Sequence, residues 1–190
     1  MSNFNNLLKP RIVNIENVSL NNTRVTLEPL ERGFGHTLGS ALRRILLSSI
    51  VGSSVTEVSI DGVQHEYSTI EGIQEDVIDI MLNLKGISFK MNGNTSTSLS
   101  LSKTEVGPVL ASDIELKNDI EIINPNHVIA NITKDGASIN MQIVVNEGIG
   151  YSSANQRKDD ANRNVGSLLI DASYSPIKKV AYKVDSARVE

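Results

Sequence analysis

The feature that most restricts this chain is a change of hydrophobic period along it. Two runs with a helical repeat precede residue 86, and nearly everything after it alternates as strands do. The first run follows a strand-like alternation, Arg24-Val25-Thr26-Leu27-Glu28, closed by Pro29, and a glycine-rich turn at Gly33-Phe34-Gly35-His36-Thr37. Leu38, Ala41, Leu42, Ile45, Leu46 and Ser49 then fall on one helical face, which predicts a helix over 37–50 with Thr37 as its N-cap and Gly52 as its terminator. Residues 55–60 and 63–67 flank Asp61-Gly62, a pair that favours a two-residue hairpin turn. Ser68-Thr69-Ile70-Glu71 has the form of a capping box, and Ile73, Val77, Ile80, Met81 and Leu84 extend a second helix to Gly86.

Beyond Gly86 the expected strands lie at 87–91, around Ser98-Leu99-Ser100-Leu101, and at 120–123, 128–132, 139–145, 168–170 and 180–184, with turns at Asn92-Gly93 and Asp135-Gly136. Residues 151–165 are polar and aperiodic and predict a long exposed loop. Early helices and a long β middle make the fold class α+β, with an insertion.

Composition removes several functions. The 190 residues include no Cys, which excludes a disulfide framework, thiolate metal ligation, a Cys nucleophile and a redox dithiol. With 18 Lys+Arg against 22 Asp+Glu the net charge is −4, the wrong sign for a globally basic nucleic-acid binder, and seven aromatics offer little for base stacking. The 39% apolar content is enough for a core. The opening MSNFNNLLKPRIVN has no basic-then-apolar leader pattern, and no run approaches the about 20 apolar residues of a membrane span, so a soluble, intracellular protein is expected.

Catalytic signals are weak. Gly33, Gly35 and Gly39 resemble a phosphate loop, the basis of an alternative reading as a small nucleotide-binding enzyme, but the third glycine comes one residue late for a dinucleotide fingerprint and no G-K-[ST] follows. His36, His65 and His127 lie far apart and match no zinc pattern; they read as structural or surface residues. Glu75, Asp76 and Asp79 suit the positive end of the second helix better than an acid–base pair. No G-x-S-x-G elbow accompanies the serines. Arg43-Arg44 is either a solvated helix face or an interface element, and Leu47 lies off the centre of the stripe, so the first helix is apolar on more than one side and hints at two partners.

The segment LEPLERGFGHTLGSALRRILLSS at 27–49 closely resembles the amino-terminal domain of the bacterial DNA-directed RNA polymerase alpha subunit. The resemblance continues through VTEVSIDGVQHEYSTIEGIQEDVIDIMLNLKG (55–86), NPNHVIANIT (124–133) and DASYSPIKKVAYKVDSARVE (171–190). It implies a discontinuous dimerisation subdomain, an antiparallel sheet plus helices at 1–50 and 177–190, interrupted by a mostly β insertion subdomain at 51–176. It implies a non-catalytic assembly scaffold within a nucleotidyltransferase of the bacterial cytoplasm, without catalytic residue, metal or cofactor on this chain. The implied partners are a second alpha subunit, identical or variant, and the beta and beta-prime subunits, with omega and sigma in the same complex; no direct DNA contact and no membrane are implied.

By the same resemblance Phe34, Leu38, Leu42 and Ile45 belong to the dimer interface. Arg44, Leu47, His65, Glu66, Tyr67, Ser68, Thr69 and Glu71 belong to the beta-facing surface, and Lys85, Asp171, Ser175, Pro176 and Val180 to the beta-prime region. Two departures stand out. Gly148-Ile149-Gly150-Tyr151 replaces Gly-Arg-Gly-Tyr and so lacks a positive charge, and Asn164-Val165-Gly166 replaces Pro-Ile-Gly. Family members continue past Arg-Val-Glu into a further helix, a linker and a DNA-binding domain, so a fragment that dimerises weakly or exposes an apolar patch is expected.

Overall fold

The computed structural model describes residues 9–117, 119–157 and 166–186. The chain divides into two compact units, residues 1–46 with 179–190, and residues 47–178.

In the smaller unit, β1 (Arg11–Ser19) and β2 (Asn22–Glu28) form an antiparallel ribbon from Arg11↔Glu28 to Ser19↔Asn22, with irregularities at Ile12/Asn14 and Asn17/Ser19. The sequence pattern alone had suggested only the second of these strands. Helix α1 (Phe34–Ser48) begins three residues before the expected Thr37, which lies inside it, and ends before Gly52, which lies in a strand. Residues 180–184, expected to be a strand, form none. They lie against α1, where a Cβ on Gly35 would sit 2.7 Å from Val184 Cγ1 and one on Gly39 2.5 Å from the Tyr182 ring. Tyr182 also meets His36 edge-on, with ring centroids 6.3 Å apart. Small residues at i and i+4 thus open the helix surface to two large side chains.

The larger unit holds β3 (Val51–Ile60), α2 (Val77–Lys85), β4 (Phe89–Met91), β5 (Ser96–Lys103), β6 (Gly107–Leu110), β7 (Ile114–Glu115), β8 (Ile120–Ile122), β9 (Val128–Ile132), β10 (Ile139–Ile149), β11 (Tyr151–Ser152), β12 (Leu168–Leu169) and β13 (Ala172–Ser173). Its main sheet runs β7-β5-β10-β3-β4-β8, with β12 also on β3; β6 pairs with β9, and β11 with β13. Every ladder is antiparallel. Ile139, Met141, Ile143 and Val145 alternate inward along β10, opposite Leu99 and Leu101 of β5 and Val55, Val58 and Ile60 of β3. From α2 they meet Val77, Ile80 and Leu84, in a core continuous with Val109, Ile129 and Ile132.

Two local expectations fail for tertiary reasons. The Asp61-Gly62 turn forms, with Gly62 at φ +79°, but residues 63–67 pair with nothing as a strand, because β3 is already bonded to β10, β4 and β12. The second helix starts at Val77, not at the 68–71 capping box. Glu71 instead pairs with Lys134, Gly72 adopts φ +82°, and Ile73 bridges to Ile132. The expected loop at 151–165 contains β11 and a short 3-10 turn at Ala154–Arg157; residues 158–165 lie outside the described residues.

Ile80 is fully enclosed and Leu82, two residues on, is 59% exposed. Ile80→Ala is expected to lower unfolding free energy by about 2–5 kcal/mol, and Leu82→Ala by less than about 0.5 kcal/mol; urea denaturation of the two variants checks the difference.

Candidate functional site

The larger unit carries an open groove of about 410 Å³ along α2. One wall is the outward stripe of that helix, Ile78, Met81, Leu82 and Lys85, spaced i, i+3, i+4, i+7. The inward stripe Val77, Ile80 and Leu84 fixes the rotation of the helix, so Ile78, Leu82 and Lys85 are left facing out, while Met81 is half-buried against the core. The opposite wall comes from Ala154 and Asn155 and from Ser167 to Asp171, and Glu66 completes the rim.

The far wall is held by main-chain and charged hydrogen bonds. Ile170 N–H donates to Thr56 O at 2.9 Å, and Arg157 Nη1 donates to the same oxygen at 3.1 Å. Arg157 Nη2 also donates to Ile170 O. A single guanidinium therefore ties β3 to both segments of the wall. Asp171 Oδ1 accepts from Ala154 N–H at 2.7 Å, and its carboxylate also accepts from the Tyr151 hydroxyl. The Ala154 amide, then the Tyr151 hydroxyl, hold the Asp171 carboxyl below its ordinary range, while acceptance of that phenol's proton by Asp171 pushes Tyr151 up. Lys85 Nζ lies 5.9 Å from the centre of the Tyr151 ring, within cation–π range.

Of the residues singled out by sequence, Glu66, Lys85 and Asp171 line this groove together. His65 Nδ1 and Ser68 Oγ lie 3.1 Å apart, Tyr67 is 76% exposed, and Thr69 and Glu71 are exposed. His65 sits in a turn, not in the expected strand. Ser175 Oγ donates to Ile177 O at 3.1 Å, Pro176 is exposed, and Val180 is half-buried in the smaller unit. On α1, Phe34 and Ile45 are about half exposed, Leu38, Leu42 and Leu47 are half-buried, and Arg43 and Arg44 are exposed. Tyr151 and the 154–155 and 167–170 wall were not identified from sequence. The Ile78/Leu82/Lys85 spacing was a usable signal, since it is a second helical stripe beside the core one.

The remaining chemistry candidates have structural work. Glu75 accepts from Asn131 N–H at 2.7 Å and from Asn131 Nδ2 at 2.6 Å; Asp76 occupies the N-cap of α2 without a side-chain cap bond, and Asp79 lies in its first turn. His127 Nε2 bonds Asn83 O at 2.8 Å. At Gly35 and Gly39 the space a phosphate would need is filled by Val184 and Tyr182. Among the described residues no group of three or more His, Asp or Glu is placed to hold a metal ion, and no helix is long and apolar enough to cross a membrane.

The fold and groove define an α+β chain in which a mostly antiparallel sheet unit, with an exposed side-chain groove, interrupts a smaller helix-and-ribbon unit. Residues 58–175, well over half of the chain and all within the sheet unit, match the RNA polymerase Rpb3/RpoA insert domain, and the chain belongs to that family. It is an RNA polymerase subunit of the alpha/Rpb3 type, and so part of a nucleotidyltransferase complex of DNA-directed transcription.

Because the folded Asp171 carboxyl lies below its unfolded value of about 3.9, it contributes stability above that value that is lost as pH falls through the folded pKa. Thermal melting from pH 7 to pH 2 is expected to fall more steeply below about pH 4 for the wild type than for Asp171→Asn.

Proposed function

We propose that this chain is the assembly scaffold of a bacterial RNA polymerase: two alpha chains pair through the smaller unit, and the pair recruits the beta and beta-prime subunits. The observation that carries this reading is the amount of apolar side chain left uncovered in the smaller unit. Ile12, Val13, Ile15, Val18, Leu20 and Val25 of the ribbon and its turn are all at least half exposed, as are Phe34 and Ile45 of α1. A two-stranded ribbon is marginal alone, and apolar surface of this extent marks an association face. Phe34, Leu38, Leu42 and Ile45 then supply the helix contribution to a dimer interface, the common symmetric solution for like chains.

In this reading Arg44 and Leu47, with the 65–71 segment, dock beta. Arg is suited to that task because its planar fork makes paired bonds to carboxylates. Lys85, Asp171, Ser175, Pro176 and Val180 serve beta-prime. Omega and sigma join the same cytoplasmic complex without contact being required from this chain. The chain itself supplies no catalytic residue and no cofactor, and it makes no direct DNA contact, in keeping with its net charge of −4.

Light scattering over a concentration series is expected to show a dimer for the full alpha chain and a monomer for Ile45→Asp. Arg44→Ala is expected to remain dimeric while its capture of the beta subunit falls by about tenfold or more. Wild-type dimer and capture levels in both variants would overturn the reading.

A further inference from the structure

Asn92 is the one asparagine in the sequence that is followed by glycine. It lies in the connection from β4, which ends at Met91, to β5, which begins at Ser96, and both Asn92 and Gly93 are exposed. Gly93 has φ +91°, and a Cβ placed there would meet nothing within 4 Å. Among the described residues the Asn92 side-chain amide has no hydrogen-bond partner, and neither has the Gly93 N–H. Other asparagines of this unit are held. Asn83 Nδ2 donates to Ile129 O at 2.9 Å, Asn94 Nδ2 to Asp119 Oδ2 at 3.0 Å and Asn131 Nδ2 to Glu75 Oε1 at 2.6 Å. The residues that follow these three, Leu84, Thr95 and Ile132, all carry a Cβ.

We infer that Asn92-Gly93 is a modification site at which the chain changes itself, with water as the only co-reactant. The Gly93 backbone nitrogen gives up its proton to base and attacks Cγ of Asn92. The new N–C bond closes a five-membered imide, and the side-chain nitrogen leaves as ammonia. Water then opens the ring. Attack at Cγ leaves an ordinary aspartate, whereas attack at the main-chain carbonyl leaves the backbone running through Cγ, an isoaspartate. Either product carries a carboxylate, so the sequence of steps adds one negative charge and changes no oxidation state. Glycine permits the closure, because its missing Cβ leaves the nitrogen open to approach and the backbone free to turn. The protein alone cannot reverse the change, so the fraction converted records the age of the chain.

The position gives the new charge a consequence. Asn92 N–H donates to Asp119 O at 2.9 Å, one step beyond Met91↔Ile120, the last pair of the β4–β8 ladder. Residue 92 is therefore opposite Asp119, whose own carboxylate accepts from Asn94. Like charges directly opposite each other on paired strands destabilise the pairing. The isoaspartyl form also inserts an extra backbone carbon between the bonded amide and Gly93. Because β8 is the last strand of the sheet on that side, the disturbance falls on an edge and leaves the central pairing of β3 with β10 intact. The inference stands apart from the scaffold reading and uses none of its docking residues.

The test incubates the purified full-length alpha chain at mildly alkaline and mildly acidic pH and maps it by mass spectrometry, with electron-transfer fragmentation to separate the two linkages. The expected result is an acidic species modified at Asn92 in both linkages, formed faster on the alkaline side and lost in Asn92→Gln and Gly93→Ala. Alanine at this positive φ strains the turn, so thermal unfolding is measured alongside and Asn92→Gln decides. In the converted chain, and to a smaller degree in Asn92→Asp, hydrogen exchange is expected to quicken at residues 89–92 and 119–122 and to stay unchanged at residues 139–145. Conversion at Asn92 no faster than at Asn94, Asn126 or Asn155 would overturn the site. Unaltered exchange at 89–92 and 119–122 in the converted chain would overturn its structural consequence.

Discussion

The pairing of β3 with β10 is the constraint on which the larger unit depends. Nine residue pairs, from Met141↔Ile60 to Ile149↔Val51, place two long strands at the centre of the sheet, and the irregularity at Val144/Val145 shifts the register within it. Because β10 takes β5 on its other side, its alternating inward residues meet hydrophobic neighbours across both ladders. The far edge of β3 is divided, with β4 at Ser53 and β12 at Glu57 and Val58. Between those contacts Thr56 is completely buried, its hydroxyl donating to Val144 O at 3.3 Å while its carbonyl accepts from Ile170 and Arg157. A slip of one residue in β3 would exchange its faces and detach both segments of the groove wall. The site and the core are therefore determined by one register.

This dependence explains which parts of the fold were legible. Strong periodicity found α1, β9 and the inward half of β10, because burial of one face and local preference agree there. It failed where local and distant partners compete. At 68–76 the capping signal was sound as a pattern, but Glu71 and Glu75 are used by Lys134 and Asn131, more than fifty residues away, and Gly72 takes a left-handed conformation. At 63–67 the turn was right and its second strand absent, because the long-range ladders of β3 had already consumed its hydrogen bonds. Glycine gave the opposite difficulty. Gly52 was expected to end a helix, yet it lies within β3, where a Cβ would come 1.8 Å from Tyr174 O. Close approach of another backbone, and not a helix end, requires that residue.

The groove was legible only in fragments. Resemblance to polymerase alpha subunits picked out Glu66, Lys85 and Asp171, but nothing in their spacing shows that they share a wall, since they come from three segments up to about a hundred residues apart. Tyr151 carries still less local signal. It follows the departure Gly148-Ile149-Gly150, in a stretch whose composition reads as loop, and its importance comes from what it touches: Asp171 through the hydroxyl and Lys85 through the ring face. The same holds for Arg157, an ordinary charged residue in sequence that in the structure donates to carbonyls of Thr56 and Ile170. Residues whose role is to join distant segments are the ones a period or motif cannot find.

The two units also differ in how they obtain stability. The larger one encloses a continuous core drawn from its central sheet, α2 and the β6–β9 pair, and so has its own cooperative source of folding free energy. In the smaller one, among the described residues, only Gly35 of α1 is buried and both ribbon strands are open along nearly their whole length. At about 25 cal/mol per Å², the half-exposed Ile, Val, Leu and Phe side chains of that unit are uncovered apolar surface whose burial would stabilise it. In the proposed pairing a second chain would contribute to folding as well as to assembly, and protomer concentration would enter the stability of the unit. Under the proposed pairing the two units would divide the work: the sheet unit holds its own order from its core, while the apolar face of the smaller unit would be completed when another chain covers it.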